Sequence, residues 1–300
     1  MKNFPFDIPY IIASTSGGET SAYLLLQLLE FAEQNNYTGE IIPIFANTTA
    51  ERQETLDFIG ALDEYIRLRH GRKIILVEAE TIPQRGKGVK PIIIDDVRDL
   101  RVDGSAFWDM VAKHGIPNSG APHCTRELKE RPITKVVKQI VGDSPYVTCI
   151  GIRADEFDRV NPKHAKLGLY YPLVEMGITK PMINTFWASM PFRLKLKGYE
   201  GNCATCWKKS KKKLLRLAQD DETLFELFKG LELVYGDYVP EHRLAKMLKE
   251  GRTPPDKVVF FREGLRVQEL LDEAKSIGEV VVIDDADIYE ESCEVYTKCS

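Results

Sequence analysis

A glycine turn between an apolar run and an amphipathic segment is the feature that most constrains how this chain folds. Residues 11–15 read Ile-Ile-Ala-Ser-Thr, residues 16–18 read Ser-Gly-Gly, and apolar residues recur with helical spacing over 22–29. This order predicts a buried strand, a tight loop and a helix whose first N–H groups face the loop. Glycine lets an anion approach the backbone closely, and nearby hydroxyls add donors. We therefore predict a phosphate-binding loop, with an ordinary serine-capped turn as the alternative.

Strand and helix patterns alternate through the first half of the chain. Strands are predicted at 9–14, 41–46, 73–79 and 146–151, and helices at 20–35, 51–69, 105–114 and 125–141. This alternation predicts a doubly wound, mostly parallel α/β sheet of Rossmann-like type, with ligands beyond the C-terminal ends of the strands. Loops are expected at 83–91 and 98–104, and the polar segment 152–170 is expected over the active-site face.

The pattern changes after residue 206. Helices are predicted at 207–219, 222–230, 241–250 and 264–275, followed by a strand at 280–283. We therefore divide the chain into an α/β domain at 1–206 and a helical C-terminal region at 207–300 that ends in an acidic, cysteine-containing tail.

Composition indicates a globular protein of the cytoplasm. The chain has 300 residues and a net charge of −4, and no apolar run approaches the roughly 18 residues of a membrane span. The N-terminus carries no secretory signal pattern. A basic segment at 193–216 is either a solvated face or a surface that attracts a polyanion, namely a 3′-phosphorylated nucleotide, nucleic acid or the protein's own acidic tail.

Six cysteines suggest metal or redox chemistry, because structural disulfides are rare in the cytosol. They are Cys124, Cys149, Cys203, Cys206, Cys293 and Cys299. Cys149 lies in an apolar strand pattern and is expected to be a buried small hydrophobe. Cys203 and Cys206 form a CxxC in a glycine turn, which suits either two ligands of one metal centre or a redox pair.

Five further segments, in order, carry a family resemblance. They are Phe-Ala-Asn-Thr-Thr-Ala-Glu at 45–51, His-Cys-Thr-Arg-Glu-Leu-Lys at 123–129, Gly-Ile-Arg-Ala-Asp-Glu at 151–156, Tyr-Pro-Leu at 171–173 and the CxxC at 201–206. With the glycine loop, they resemble the PP-loop proteins of the adenine nucleotide alpha-hydrolase-like superfamily. The SGGxTSA form of the loop is similar to that of phosphoadenylyl-sulfate (PAPS) reductase-like proteins, many of which are encoded by phages or prophages.

The resemblance implies an adenine-nucleotide site that uses residues from several of these segments. The residues expected to bind the nucleotide are Ser14, Ser16, Gly17, Gly18, Thr20, Ser21, Asn47, Thr48, Arg126, Gly151 and Glu156. Asn47 and Thr48 would hold the adenosine, and Glu156 would orient Arg153 or contact a ribose. Lys129 and Arg153 would hold the sulfonate. Residues 171–173 are expected to form the strand that follows.

The resemblance also implies a [4Fe–4S] cluster on Cys124, Cys203 and Cys206. Thr125 stands where related reductases carry a second adjacent cysteine, so the fourth ligand would come from Cys293, Cys299 or outside the protein. Zinc and metal-free redox thiols remain alternatives. In the family the C-terminal tail also carries the nucleophile, a role that Cys293 or Cys299 would fill here.

Three functions follow as hypotheses. The first is reduction of PAPS, with thioredoxin or glutaredoxin as partner. The second is an ATP-dependent transferase that releases pyrophosphate and moves sulfur or an amine to nucleic acid or a nucleobase, although Thr20 replaces the aspartate that helps to position Mg²⁺ in ATP-using relatives. The third is a non-catalytic nucleotide-binding subunit of a DNA-modification or defence system. A homodimer in the host cytoplasm is expected, without membrane association.

Overall fold

A six-stranded, mostly parallel sheet organises the protein. The computed structural model describes Phe4 and residues 7–84, 86–201 and 203–282, apart from the side chain of His242. The strands are β1 (Tyr10–Thr15), β2 (Glu40–Asn47), β3 (Ile75–Thr81), β4 (Val89–Ile94), β5 (Tyr146–Cys149) and β6 (Leu169–Tyr170). Their order is β4-β3-β2-β1-β5-β6, and only β4 runs antiparallel, against β3. The predicted α/β class is confirmed.

Ten α-helices accompany the sheet in the described chain. They are α1 (Glu19–Gln34), α2 (Gln53–His70), α3 (Ser105–His114), α4 (Arg131–Val141), α5 (Pro172–Glu175), α6 (Lys180–Ser189), α7 (Lys211–Asp220), α8 (Glu226–Tyr235), α9 (Glu241–Lys249) and α10 (Val267–Ser276). Each of the described helices is too short or too polar to cross a membrane.

The two faces of the sheet are covered by different helices. Alternate residues of a strand point to opposite faces, so Ile11 and Ala13 pack with α1 and α2, whereas Ile12 packs with α4. From β1 the chain moves to β2 and β3 on one side and returns by way of α4 to β5 on the other. The topological switch point, where such sheets bind ligands, therefore lies between β1 and β5.

Several boundaries differ from the prediction. Residues 89–91, the end of the loop predicted at 83–91, belong to β4 instead, because Val89 is fully buried and residues 89–94 pair with β3. Residues 171–173 are not a strand, since β6 ends at Tyr170 and Pro172 begins α5. The predicted helix 125–141 is split into a π-helical turn, Thr125–Glu130, and α4. No strand forms at 280–282, the described part of 280–283, and α6 was not predicted.

The C-terminal helices share one core with α3 and with the segment after it. Buried residues of α7, α8 and α10 pack with Phe107, Met110 and Leu128 in a single cluster. A buried carboxylate ties this region together: Glu232 on α8 accepts hydrogen bonds from the backbone N–H groups of Phe260, at 3.0 Å, and Val267, at 2.7 Å. Glu232 thereby fixes the start of α10 against α8.

Glu232→Ala should lower the free energy of unfolding by about 2–5 kcal/mol, because it leaves two buried N–H groups without an acceptor. Burial raises the pKa of Glu232 above its ordinary value. The folded state therefore binds the proton more tightly, and stability from this group falls as pH rises from the ordinary to the raised pKa. The cost of the substitution should accordingly be larger at the acid end of that interval.

Urea unfolding across this pH interval measures both effects, and Glu226→Ala on the same helix is the control because Glu226 is exposed. Equal unfolding curves for the two variants would contradict the role of Glu232.

Candidate functional site

The loop between β1 and α1 has the geometry of an anion-binding turn. Gly17 adopts a positive φ of 81°, and α1 begins directly after Gly18 without a side-chain cap. Ser21 Oγ accepts the N–H of Ser16 and donates to the carbonyl of Gly18, both at 3.0 Å. The loop is thus held from within, while the first N–H groups of α1 have no side-chain acceptor. Such N–H groups are suited to a phosphate.

The two glycines differ in what a side chain would meet. A Cβ on Gly17 would lie 2.5 Å from Cγ2 of Thr55, in the first turn of α2, and φ there disfavours any other residue. Gly18 is extended, with φ −101° and ψ 157°, a conformation that every residue adopts. Gly18 is therefore the position where a side chain tests the ligand space without straining the backbone.

Arg153 joins the loop from the other side of the switch point. It follows β5 and Gly151, and its Nη1 donates to Thr20 Oγ1 at 3.2 Å. Its Nε bonds Asp155 at 3.0 Å, and its Nη1 lies 3.2 Å from Glu156 Oε2. The guanidinium is more than nine-tenths buried. Glu156 thus orients Arg153, one of the two roles considered for it, and a cation stands beside the helix start.

Asn47 does not lie where a nucleotide can reach it. Its side chain is fully buried; Nδ2 donates to Glu78 Oε1 and to the Arg101 carbonyl, both at 2.7 Å, and Oδ1 accepts the N–H of Thr49. The predicted adenosine contact is therefore corrected, because the amide is used to hold the segment before α3. Thr48 is also buried and belongs to the cysteine cavity described below.

The π-helical turn separates Arg126 from Lys129. Residues that are three positions apart, such as Arg126 and Lys129, share a face of an α-helix. A π-helical turn contains more residues per turn, so the two side chains no longer lie on the same face. Lys129 is buried and lines the cysteine cavity, whereas Arg126 is exposed and lines an outer cleft. Arg126 and Lys129 were both expected to contact the sulfonucleotide, but they face different sites.

Cys124, Cys203 and Cys206 line one small cavity, although about 80 residues separate the first from the other two. The cavity measures about 10 Å³, and its walls also include Thr48, Phe107, Lys129, Trp207 and Phe228. The indole N–H of Trp207 points at Cys124 Sγ at 3.4 Å. The predicted convergence of the three cysteines is thus observed, in a buried setting.

The CxxC turn is docked onto the end of β2. Cys203 forms an antiparallel bridge with Glu51. Lys209 Nζ donates to the carbonyls of Cys203, at 2.7 Å, and Ala204, at 3.0 Å. Desolvation lowers the pKa of this fully buried amine. The lysine therefore closes the turn and brings a proton donor close to the thiols.

Glu51 is a site residue to which sequence reasoning gave no role. Its Oε1 accepts from Thr48 Oγ1 at 3.0 Å and lies 3.5 Å from Lys129 Nζ. Its Oε2 is buried and has no hydrogen-bond partner among the described residues. A buried, half-satisfied carboxylate beside a lysine and thiols is a pattern found at catalytic sites. Its place in the 45–51 motif was the sequence feature that could have indicated a role for Glu51. No feature of the basic segment 193–216 distinguished Lys209 from the neighbouring lysines.

The three thiols do not form a metal-ligand set as they are arranged. Within the described residues, no group of three or more His, Cys, Asp or Glu side chains is placed to hold a metal ion. Cys149, also a predicted hydrophobe, is fully buried in β5, and burial raises the pKa of its thiol. The candidate tail residues Cys293 and Cys299 lie outside the described residues, so the expected fourth ligand and nucleophile stay predictions.

Most cations of the basic segment 193–216 are either buried or paired with acidic side chains. Lys208, Lys209 and Lys213 are buried, and salt bridges join Arg193 to Glu19, Lys197 and Arg216 to Asp220, and Lys211 to Glu273. Lys195 and Lys212 are exposed. The segment therefore presents a smaller positive surface than its composition predicts.

The fold and these residues define a doubly wound α/β protein with a glycine loop at the switch point and a cysteine cavity beside it. The chain is 30% identical over 254 residues to the uncharacterized nin region protein ORF290 of Escherichia phage lambda, across 84% of this chain and 80% of that protein. It belongs to the family of this phage protein. No family model and no solved structure matches it.

Proposed function

We propose that this protein is a PAPS reductase-like enzyme that binds an adenine sulfonucleotide at the glycine loop and reduces it with cysteine thiols, in the host cytoplasm. One observation carries the proposal: the loop, Arg153 and the Glu51–cysteine cavity follow the neighbouring strands β1, β5 and β2 at one edge of the sheet. A phosphate group bound at the loop and the thiols of the cavity would therefore lie at the same edge of the sheet.

The loop and Arg153 would bind the anionic end of the nucleotide. The first N–H groups of α1 suit a phosphate, and the guanidinium beside Thr20 adds charge-assisted donors. Thr20 stands where ATP-using relatives carry the aspartate that helps to position Mg²⁺, and the cation Arg153 donates to its hydroxyl. This favours the sulfonucleotide over Mg-ATP.

The chemical step needs two thiols. A thiolate of the Cys203–Cys206 pair attacks the sulfur, the bond between sulfur and the bridging phosphate oxygen breaks, and adenosine 3′,5′-bisphosphate leaves with the electron pair. The second thiolate then attacks the cysteine sulfur, which releases sulfite and forms a disulfide. A thioredoxin- or glutaredoxin-type dithiol supplies the two electrons that restore the thiols. Since the cavity of about 10 Å³ admits no more than about one water, the CxxC turn must move to meet the substrate.

Lys129, Lys209 and Glu51 would support this step. Lys129 and Lys209 bring positive charge to the thiols, which favours thiolate. Glu51, held by Thr48 and Lys129, would accept a proton from an attacking thiol. A [4Fe–4S] cluster or zinc ion would need Cys124, Cys203 and Cys206 as ligands, and Cys293 or Cys299 would then have to supply the nucleophile.

The test is product formation by purified protein. We expect sulfite release from PAPS with a dithiol reductant, and Gly18→Val should abolish it because a branched side chain fills the phosphate position while the fold is kept. Thermal unfolding of the variant checks the fold. Pyrophosphate release from ATP that depends on Mg²⁺ would instead identify a transferase, and nucleotide binding without turnover a non-catalytic subunit.

A further inference from the structure

A large basic cleft lies on the outer side of the π-helical turn, away from the cysteine cavity. It has a volume of about 1130 Å³, more than a mononucleotide site needs. Six basic side chains line it, from the loop before β4, the end of α3, the π-helical turn and α4: Lys87, Lys113, Arg126, Arg131, Lys135 and Lys138. Among the described residues of the lining, the carboxylates are Glu130 and Glu241. Positive charge is thus concentrated here on a chain whose net charge is −4.

Two of these cations are held in place by a buried carboxylate. Glu127 is fully buried; its Oε1 accepts from Arg126 Nε at 2.8 Å, and its Oε2 accepts from Arg131 Nη1 at 2.6 Å. Each guanidinium has five N–H donors; one of each bonds Glu127, and Arg126 Nη2 also lies 3.1 Å from His123 Nδ1. The arginines are therefore fixed before any ligand arrives, which reduces the entropy lost on binding.

Three cations of the cleft form a row along α4. Arg131, Lys135 and Lys138 lie on the exposed face of α4, at positions i, i+4 and i+7. Seven residues of helix span about 10 Å, so the three cations form a row long enough to contact more than one phosphate of a nucleic-acid strand. Lys135 Nζ donates to the Val89 carbonyl at 2.6 Å, and Lys113 Nζ to that of Ile82 at 2.6 Å. These bonds hold the two lysines against the loop before β4 and against the start of β4.

We infer that this cleft binds the phosphodiester backbone of a nucleic acid. The fixed guanidinium groups and the row of three cations on α4 favour a chain of regularly repeated phosphates over an acidic peptide, whose carboxylates have no fixed interval. Tyr238, which is 38% exposed at the rim, offers a ring on which a base stacks. The inference goes beyond the proposed function and does not depend on it.

The test measures binding of fluorescein-labelled 20-nucleotide RNA, single-stranded DNA and duplex DNA by anisotropy, without nucleotide cofactor. Lys87→Glu/Lys138→Glu changes two exposed side chains of the cleft, so the fold is kept. We expect affinity to fall at least ten-fold, and the slope of log K against log salt to decrease in magnitude by about 1.4–1.8, for two lost phosphate contacts. The three probes decide whether RNA or DNA is the natural source of the backbone.

The matched control is Lys195→Glu/Lys212→Glu, which makes the same charge change on exposed residues of the 193–216 segment and should leave affinity within about two-fold. Equal losses in the two double variants would overturn the assignment, as would no binding of any probe by the unaltered protein at micromolar concentration. Competition by polyglutamate as strong as by RNA or DNA of equal charge would also overturn it, in favour of an acidic protein. Gly18→Val should bind nucleic acid normally, so a failure of the proposed function is seen separately.

Discussion

Arg153→Gln should weaken binding of adenine sulfonucleotides by about 30- to 100-fold while the protein stays folded. A charge-assisted hydrogen bond contributes about 1.5–3 kcal/mol, and 1.4 kcal/mol is ten-fold in affinity. Arg153 lies beside the start of α1 through its bond to Thr20 at 3.2 Å. Without it, Asp155 and Glu156 lose a cation and add negative charge close to the phosphate position. Calorimetric titration with PAPS and with adenosine 3′,5′-bisphosphate measures the loss.

Arg159→Gln is the matched control for this experiment. Arg159 is also buried and also pairs with Glu156, so both variants disturb the same carboxylate. Of the two arginines, Arg153 is the one that donates to the loop residue Thr20. Arg159→Gln should bind nucleotides within about three-fold of the unaltered protein. An equal loss in both variants would show that Arg153 acts only by holding Glu156, and unchanged binding by Arg153→Gln would remove the switch point as the nucleotide site.

Cys203→Ser/Cys206→Ser should lose at least about 1,000-fold of sulfite release from PAPS and keep nucleotide affinity. The hydroxyl of serine is a far weaker nucleophile than a thiolate and cannot form the disulfide that releases sulfite. Nucleotide affinity should be unchanged because the loop and Arg153 are untouched. Sulfite is measured during turnover with a dithiol, and nucleotide binding by titration.

Cys149→Ala is the control, since this thiol is buried in β5 and plays no part in the proposed step; it should retain most of the activity. If instead the CxxC variant stays active and Cys293→Ser/Cys299→Ser is inactive, the nucleophile lies in the tail, as the family resemblance implies. Iron and zinc analysis of anaerobically purified protein should accompany both, because metal lost with the CxxC variant alone would assign that pair as ligands.

Local signals carried most of the fold prediction. The alternation of strands and helices, the glycine loop and the position of each helix through α4 depend on periodicity and turn chemistry over fewer than 20 residues, and these appear directly in a sequence. β4 was not predicted because its first residues lie in a run rich in glycine and charge. Only the pairing with β3 makes this segment a strand. A strand was wrongly predicted at 171–173 because Pro172 suits the first turn of a helix as well as the end of a strand.

Side-chain roles were harder to predict, because burial depends on distant elements. Asn47 ends a strand at the ligand edge, as the motif suggested, yet Glu78 and Arg101 take its amide. The lysines at 208, 209 and 213 look like a solvated face in the sequence but are buried in the fold. A polar residue in a motif thus has a predictable place along the chain, whereas its partners are set by packing.

The sequence by itself determined the α/β class, the loop after the first strand, Arg153 after the strand predicted at 146–151 and the CxxC as a pair, since each is a property of neighbouring residues. Only the tertiary structure decided that Cys124 meets the CxxC, that Glu51 and Lys209 belong to the same site, and that Arg126 faces a different cleft from Lys129. These contacts join residues 70 or more positions apart, or depend on a π turn in place of an α turn. They exist only once the buried surfaces of the helices have been matched to the sheet.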